Sequence, residues 1–371
     1  MPGGIGDSLR VATASQKGLL TGLLKQTSRS FYLTLRVLPA AVRPQIGLAY
    51  LLARTTDTIA DTELLPVEQR IEALRKLRNR ILGAGSEPLN FGELARLAPR
   101  ESPAEKLLLE KVEDSLALLP SLSPDDLQLV RTLLNTITGG QELDLRRFAP
   151  SESMVQRSGD KLSLGLQPII ALETTAQLDD YTYRVAGCVG EFWTKICRAH
   201  VFPRARLDDA QLVANGIRFG KGLQLVNILR DVPADLRKGR CYLPADKLEK
   251  AGLIPEILLS PVSEAKFRPL YHSYLDMAES HLAAGWAYTN SLPRGCVRLR
   301  LACAWPVLFG QQTIERLRAA NGFELQQGVK ISRPEVYGIL ARSVLCYPLP
   351  GTWRRLFSPA GKAVASGRNL A

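Results

Sequence analysis

The sequence has few of the residues that zinc sites and serine hydrolases need. Only three histidines occur among its 371 residues, and they form no HExxH arrangement. The six cysteines form no CxxC pair, and several of them stand within apolar stretches. A zinc centre or a serine–histidine hydrolase is therefore disfavoured, and we expect reduced, mostly buried thiols in a cytoplasmic protein.

Long apolar runs are lacking as well. The most apolar stretch, LACAWPVLFG at 301–310, is about half as long as a membrane-spanning helix needs to be. The opening residues, MPGGIGDSLRVATASQKGLL, do not have the charged-then-apolar layout of a signal peptide. We therefore expect no membrane span and no signal peptide. Any membrane contact would be peripheral, with TWRRLF at 352–357 as the candidate interfacial anchor.

Positive charge is abundant, with a formal net charge of +12. Such a balance fits anionic partners, namely nucleic acid, lipid headgroups or phosphorylated metabolites. A basic helical nucleic-acid-binding protein is therefore one alternative function. It would gather Lys and Arg on one helix face with aromatic residues between them, whereas the basic residues here are dispersed along the chain. We expect no nucleic-acid partner.

Helical periodicity dominates the chain, and strand-like alternation is scarce. Segments such as EQRIEALRKLRNRIL and AEKLLLEKVEDSLALL carry apolar residues at intervals of three and four. The breaks between them are short and rich in Pro, Gly or Ser, and no internal repeat is present. This pattern predicts one all-α domain over residues 1–345, followed by a basic, loosely ordered tail over 346–371.

Two aspartate pairs follow apolar helical runs. Asp57 and Asp61 in LARTTDTIADT, and Asp231 and Asp235 further on, are each spaced i, i+4, so each pair shares one helix face. Pro233 predicts an end or a kink in the second helix. Carboxylates about 5 Å apart repel by about 3 kcal/mol at an effective dielectric of about 20. A solvated helix face and a Mg²⁺ site explain the spacing alone about equally well.

Basic and polar residues beside the pairs favour the metal interpretation. Any one of these cations is explained as readily by a salt bridge. Together, in a chain this basic, they indicate a diphosphate clamp on two facing helices. The residues are Arg54, Arg230, Lys238 and Arg240, together with Ser28 and Arg29 of the earlier TSRSF.

Five motifs in order, from about Thr27 to Tyr337, resemble those of the squalene/phytoene synthase family, and of its bacterial members in particular. They are TSRSF, ARTTDTIAD, GGQELDL, YTYRVAGCVG and LQLVNILRDVPADLRKGRCYLP. Ala60 and Ala234 stand where eukaryotic members tend to carry a further acid, which leaves fewer metal ligands. Arg184 stands where the family usually has Tyr or a small residue, and the sequence offers no explanation for it.

The resemblance implies roles for individual residues. Tyr181 aligns with the family's catalytic tyrosine, with Tyr183 as the fallback, and acts with Arg54 and the four aspartates of the pairs. The implied metal ligands are Asp57, Asp61, Asn227, Asp231 and Asp235. The implied substrate-binding residues are Ser28, Arg29, Phe31, Arg54, Asp144, Val185, Gly190, Gln224, Asn227, Arg230, Lys238 and Arg240.

The implied fold is an all-α isoprenoid-synthase (terpenoid synthase) fold with a central cavity. Two molecules of farnesyl diphosphate would condense head to head with Mg²⁺, or Mn²⁺ in its place, to give presqualene diphosphate. NADPH would then reduce the second cation to squalene. A dry pocket is required because water would trap the cation.

No glycine-rich fingerprint follows a predicted strand, so a separate Rossmann module for NADPH is not indicated. ELQQGVKISRPEVYGIL, with Lys330 and Arg333, instead resembles the cofactor-binding segment of the reducing members of the family. This favours squalene as the product. A phytoene or dehydrosqualene synthase, and a presqualene diphosphate synthase that stops halfway, stay open as alternatives.

Overall fold

The structure is a computed structural model of the chain. It describes Gly22, Leu24 and residues 31–97, 103–149 and 169–358. The chain divides into two compact units: unit 1 comprises Met1–Arg146 with Lys195–Pro203, and unit 2 comprises Arg147–Thr194 with Arg204–Ala371. The single domain over residues 1–345 stays a prediction.

Unit 1 is helical, and its central helix carries the first aspartate pair. The second helix, α2, packs against α1, α3, α5 and α6. The helices are α1 (Phe31–Val37), α2 (Arg43–Asp61), α3 (Val67–Leu82), α4 (Gly92–Leu97), α5 (Pro103–Glu110), α6 (Val112–Leu116) and α7 (Pro124–Arg147), whose last residue belongs to unit 2.

Helix α2 is positioned by an apolar stripe and ends directly after its aspartate pair. Pro44 occupies the first turn, where the missing N–H costs no helical hydrogen bond. At the other end Arg70 donates from Nη1 to the carbonyl of Ala60 at 2.8 Å, which satisfies one of the terminal acceptors. The fully or nearly fully buried stripe consists of Leu48, Leu51, Leu52 and Ile59.

Unit 2 is also built mainly from helices. Its helices are α8 (Thr175–Thr182), α9 (Cys188–His200, of which the part up to Thr194 belongs here), α10 (Asp209–Arg237), α11 (Ala245–Lys250), α12 (Glu264–Ser291), α13 (Val297–Ala319), α14 (Gly322–Gln327), α15 (Arg333–Cys346) and α16 (Pro350–Arg354). A π-helical turn, Tyr183–Gly187, joins α8 to α9. The strands β1 (Ile170–Ala171) and β2 (Arg240–Cys241) pair in parallel, with Ile170 opposite Arg240.

Helix α10 packs against α12, α13 and the π-helical turn. It approaches its neighbours closely because glycines face them: a Cβ added at Gly190 of α9 would stand 1.9 Å from the Gly216 carbonyl oxygen. The helix continues only as far as Arg237 after the buried Pro233, so the predicted end near this proline is confirmed. The all-α fold class is confirmed as well, because β1 and β2 are the only strands among the described residues.

The C-terminal segment differs from the predicted loose tail as far as Ser358. Trp353 is 2% exposed and stacks on Trp286 of α12 at 5.3 Å between ring centroids. Leu356 and Phe357 are buried too. Burial of these aromatic side chains therefore orders the segment. Hydrophobic periodicity could not predict this order, because the segment is rich in proline, glycine and arginine. Among the described residues, no helix combines the length and apolarity that a membrane span requires.

Candidate active site

Acidic cluster 1, which we define as Asp57 and Asp61, lies in the last two turns of α2. Gln141 of α7 donates from Nε2 to Asp57 Oδ1 at 2.7 Å. Arg54 places Nη1 at 3.7 Å from Asp57 Oδ2 and donates from Nη2 to Glu105 Oε1 at 2.5 Å. The arginine is therefore held between a glutamate of α5 and the first aspartate of the pair.

The carboxyl group of Asp57 is electrostatically strained. Although 46% of its side-chain surface remains accessible, the surrounding protein desolvates it and raises its pKa to about 7. The nearby Asp61 carboxylate adds to this rise, while Arg54 and Gln141 oppose it. Arg54 offsets only part of the desolvation and of the repulsion between the two carboxylates. The pair therefore still attracts a cation.

Gln141 and Glu105 were missed by reasoning from the sequence. A signal existed for Gln141, because it precedes Asp144 by one helical turn in GGQELDL and so shares its face. Its Oε1 is buried and accepts no hydrogen bond from any described residue. Nothing in the sequence indicates a role for Glu105, because glutamate is common in the first turn of a helix.

The structure describes only two of the four remaining predicted site residues of unit 1. Asp144 lies on α7 with its side chain half-buried. Phe31 is the first residue of α1. Ser28 and Arg29 lie outside the described residues, so their predicted substrate-binding role stays a prediction.

Acidic cluster 2, which we define as Asp231 and Asp235, lies near the end of α10. Arg230 binds Asp231 through two hydrogen bonds, from Nε to Oδ1 at 2.9 Å and from Nη2 to Oδ2 at 2.6 Å. The paired carboxylate in turn raises the pKa of Arg230. Gln224 and Asn227 lie on the same helix with half-buried side chains, and Lys238, directly after it, is exposed.

Aromatic rings lie on one side of this second cluster. Asp235, Arg240 and Tyr242 line one small recess. The ring of Tyr242 stacks on that of Tyr181 at 4.6 Å and meets Phe148 edge-on at 5.2 Å. The guanidinium of Arg240 lies 6.0 Å from the centre of the Phe148 ring. The structure thus brings Tyr181 together with Arg240 and Asp235, through two aromatic residues that the sequence analysis had not singled out.

Tyr183, the fallback for Tyr181, belongs to a different network. Its hydroxyl donates to Glu191 Oε2 at 3.0 Å, and burial with this carboxylate raises its pKa to about 12. Arg184 forms an i, i+4 ion pair with Asp180 at 2.8 Å, which explains a residue that the sequence left unexplained. Val185 lies half-buried in the π-helical turn.

Gly190 has a packing role in unit 2. Its position is accounted for by the close approach of α9 to Gly216 of α10. The substrate-binding role that the motif implies for Gly190 stays a prediction.

The candidate cofactor residues lie at the start of α15. Lys330 and Arg333 are exposed, and neither pairs with a carboxylate within the described part of the chain. Ser332 between them caps the helix in a reciprocal box with Glu335, whose carboxylate also binds Arg316 at 2.6 Å. The two free cations could hold an anionic group.

Within the described ranges, no group of three or more His, Cys, Asp or Glu residues could hold a metal ion by itself. A Mg²⁺ ion on either acidic cluster would therefore share its coordination with water or substrate oxygens, which is usual for this ion.

Comparison with known proteins identifies the family. The family model described as squalene/phytoene synthase matches residues 24–335. The chain belongs to the squalene/phytoene synthase family. The resemblance of the five motifs is thereby confirmed.

Three curated relatives in this family differ in how much of them the chain covers. A bifunctional lycopene cyclase/phytoene synthase of Gibberella fujikuroi is 31% identical over 261 residues, 69% of this chain and 40% of the relative. A presqualene diphosphate synthase of Zymomonas mobilis is 30% identical over 72% of this chain and 74% of the relative. A presqualene diphosphate synthase of Rhodopseudomonas palustris is 27% identical over 84% of this chain and 91% of the relative. The chain thus spans less than half of the fungal relative and most of the other two.

Solved structures show the same fold. A complex of TcSQS with the ligand BPH1237 has a TM-score of 0.67 at 21% identity, covering 89% of this chain and 86% of that one. A dehydrosqualene synthase in complex with ligand has a TM-score of 0.59 at 21% identity, covering 91% and 98%. These likenesses confirm the predicted isoprenoid-synthase fold.

Proposed function

We propose that this protein is a prenyltransferase that joins two molecules of farnesyl diphosphate head to head and converts the presqualene diphosphate to squalene. The observation that carries the proposal is that each acidic cluster combines two carboxylates, one helical turn apart, with an arginine that contacts the first of them. In a chain of the squalene/phytoene synthase family, this arrangement suits the binding of diphosphates.

The residues of both clusters fit Mg²⁺, with Mn²⁺ as the alternative ion. Carboxylate and amide oxygens are the hard ligands that Mg²⁺ prefers. In acidic cluster 1, a cation would stabilise the ionised form of Asp57, whose pKa is raised. It would also give the unpaired Oε1 of Gln141 a partner. Asn227 would assist the aspartates of acidic cluster 2. When bound, Mg²⁺ neutralises the negative charge that develops on the leaving diphosphate.

The cationic side chains beside the two clusters bind the diphosphates. Arg54 is anchored by Glu105 and so presents its guanidinium in a fixed orientation. Arg230 donates two hydrogen bonds to Asp231 and so holds a planar, charged donor group beside acidic cluster 2, where it would bind a phosphate oxygen if Mg²⁺ were held by Asp231. Lys238 and Arg240 add further positive charge after the end of α10.

The aromatic rings beside acidic cluster 2 suit a reaction that passes through a carbocation. The bond from the first substrate's C1 to its diphosphate breaks, and the allylic cation adds to a double bond of the second substrate. Loss of one proton then closes the cyclopropane ring. The faces of Tyr181, Tyr242 and Phe148 stabilise positive charge and exclude water. We assign to the Tyr181 hydroxyl the transfer of that proton to the departing diphosphate.

The second half of the reaction needs a reductant. Lys330 and Arg333 are exposed cations free of carboxylate partners in the described part of the chain, and they fit the phosphates of NADPH. When bound, NADPH supplies the hydride that ends the reaction at squalene. The second candidate function, synthesis of presqualene diphosphate without reduction, is favoured by the names of the Zymomonas and Rhodopseudomonas relatives.

The test is identification of the lipid product. The purified chain is incubated with Mg²⁺ and farnesyl or geranylgeranyl diphosphate, with and without NADPH. We expect squalene with farnesyl diphosphate and NADPH, and presqualene diphosphate without NADPH. Presqualene diphosphate under both conditions would establish the second candidate, and a C40 product from geranylgeranyl diphosphate alone would overturn the assignment of substrate.

The assignment of the cofactor residues needs its own variant. Changing Lys330→Gln together with Arg333→Gln should raise the KM for NADPH while the rate of presqualene diphosphate formation stays unchanged. The matched control is Arg204→Gln with Lys250→Gln, two exposed cations elsewhere in unit 2. An unchanged KM in the first variant would remove these residues from the cofactor site.

A further inference from the structure

The π-helical turn of unit 2 lies next to the tyrosine to which we assigned the proton transfer. Helix α8 ends at Thr182, and the turn Tyr183–Gly187 follows it directly. Turns of this kind are rare and occur mostly as single turns inside α-helices, often at functional sites. Tyr181 stands two residues before the turn. Contacts that hold the turn in place therefore also set the direction of the Tyr181 ring.

The turn is in direct backbone contact with α10. A Cβ added at Gly220 of α10 would stand 2.1 Å from the carbonyl oxygen of Ala186 in the turn. A Cβ added at Gly187 would stand 3.3 Å from Cγ2 of Ile217 and 3.3 Å from Cγ of Lys221. The aliphatic part of the Lys221 side chain therefore lies over the end of the turn.

Lys221 extends from this contact to α8. Its Nζ donates to Asp179 Oδ1 at 2.7 Å and lies 5.9 Å from the centre of the Tyr183 ring. Its side chain is only 13% exposed, although lysine is a residue that mostly stays exposed. Asp179 and Tyr183 are spaced i, i+4 and share one side of the helix. Lys221 therefore binds that side of α8 and of the turn to α10.

The ion pair between Arg184 and Asp180 provides a comparison from the adjacent residues. It is also spaced i, i+4, and the two side chains are 38% and 41% exposed. This pair joins α8 only to the turn that follows it. Lys221 instead joins both of them to a different helix, so its ion pair fixes their position within unit 2.

Tyr181 lies on the other side of α8. Residues two apart on a helix are separated by about 200°, so Tyr181 points away from the side that carries Asp179 and Tyr183. There its ring stacks on that of Tyr242 at 4.6 Å between ring centroids. Because Lys221 fixes one side of α8 to α10, the opposite side stays directed at Tyr242 and at the recess that Tyr242 shares with Asp235.

We propose that Lys221 is a positioning residue, which holds α8 and the π-helical turn against α10 and so keeps the Tyr181 hydroxyl where the cyclopropane-forming step loses its proton. The inference rests on the proposed function, because that proton transfer belongs to it. Without the clamp, the cation formed by joining the two substrates persists, and water adds to it. A C–O bond then forms, the added water loses a proton, and the product is a hydroxylated C30 diphosphate instead of presqualene diphosphate.

The test is steady-state kinetics with product analysis, on the full chain with farnesyl diphosphate and Mg²⁺ and without NADPH. Lys221→Met keeps the aliphatic part of the side chain and removes the cation. Its kcat for presqualene diphosphate should fall about tenfold while KM stays within about twofold of the wild-type value. The hydroxylated C30 diphosphate should form a severalfold larger share of the product. A merely structural role would lower the amount of folded protein and leave both KM and this share unchanged.

Asp179→Asn tests the same clamp from its exposed end, since the Asp179 side chain is 63% exposed and its replacement leaves the interior intact. It should lower kcat about threefold. The double variant should be no slower than Lys221→Met alone, because both changes break one contact. The matched control is Asp180→Asn, which breaks the ion pair with Arg184 and should keep the wild-type kcat and product share.

The outcomes separate this inference from the proposed function. An unchanged kcat and product share in Lys221→Met would overturn the inference alone. A loss in Asp180→Asn as large as that in Asp179→Asn would do the same. A wild-type chain that forms no C30 product would overturn the proposed function, and the inference with it.

Discussion

The close contact between α9 and α10 makes Gly190→Ala a sharp test of the packing in unit 2. The added Cβ would stand 1.9 Å from the Gly216 carbonyl oxygen, whereas real Cβ contacts essentially never fall below 3.0 Å. The obstacle is backbone, so the two helices have to separate by about 1 Å. Overpacking of this kind costs about 1–3 kcal/mol or more, and the better helix propensity of alanine returns about 1 kcal/mol. Because backbone cannot rotate out of the way, we take the upper end of that range, about 3 kcal/mol, which leaves a net loss of about 2 kcal/mol.

Urea denaturation followed by circular dichroism measures this loss. The control is Gly338→Ala in α15, where an added Cβ meets nothing within 4 Å. That variant should be more stable than the wild type by about 0.5–1 kcal/mol, because only helix propensity changes. If Gly190→Ala unfolds at the same urea concentration as the wild type, the close approach is refuted. Normal stability with a raised substrate KM would instead support the substrate-binding role that the motif implies.

Three further predictions concern the two acidic clusters. Because folding raises the pKa of Asp57 to about 7, its contribution to stability is fully present below its ordinary value of 3.8 and is lost as the pH rises through about 7. Asp57→Asn should therefore gain stability relative to the wild type as the pH rises from 3.8 to about 7 in thermal melts, and a constant difference over this range would contradict the shift. Glu105→Gln releases Arg54 from its anchor and should raise the substrate KM severalfold while kcat changes little; an unchanged KM would remove Glu105 from the positioning of Arg54. Tyr242→Phe should retain kcat, whereas Tyr242→Leu should lower it about tenfold through loss of the stacking on Tyr181, and equal rates would contradict that role.

The aspartate pairs could be predicted because helical spacing alone puts residues four apart on one face. The same reasoning predicted the end of α10 from Pro233, since proline removes a helical hydrogen bond at a definite position. Local rules of this kind depend only on residues adjacent in sequence. Tertiary packing overrides them elsewhere in the chain, because Pro306 lies inside α13 without ending it.

Contacts between distant residues could not be predicted in this way. Gln141 donates to Asp57 across 84 positions, and Tyr242 stacks on Tyr181 although the whole of α10 separates the two tyrosines in the sequence. The order of the segment around Trp353 depends on a partner ring, Trp286, 67 positions earlier, so composition alone suggested a loose tail. Tertiary packing decided these features.

The most direct test is the rate of diphosphate release from farnesyl diphosphate in the presence of Mg²⁺. Asp57→Asn and Asp231→Asn should each lower this rate about a hundredfold or more, with the helical circular dichroism unchanged. The matched controls are Asp114→Asn, an ion-paired aspartate at i, i+3 from Lys111 with a side-chain exposure of 50%, and Asp276→Asn, which pairs with Arg318. Both controls should release diphosphate at the wild-type rate. If both cluster variants kept that rate, neither aspartate pair would bind the metal that drives the departure of diphosphate.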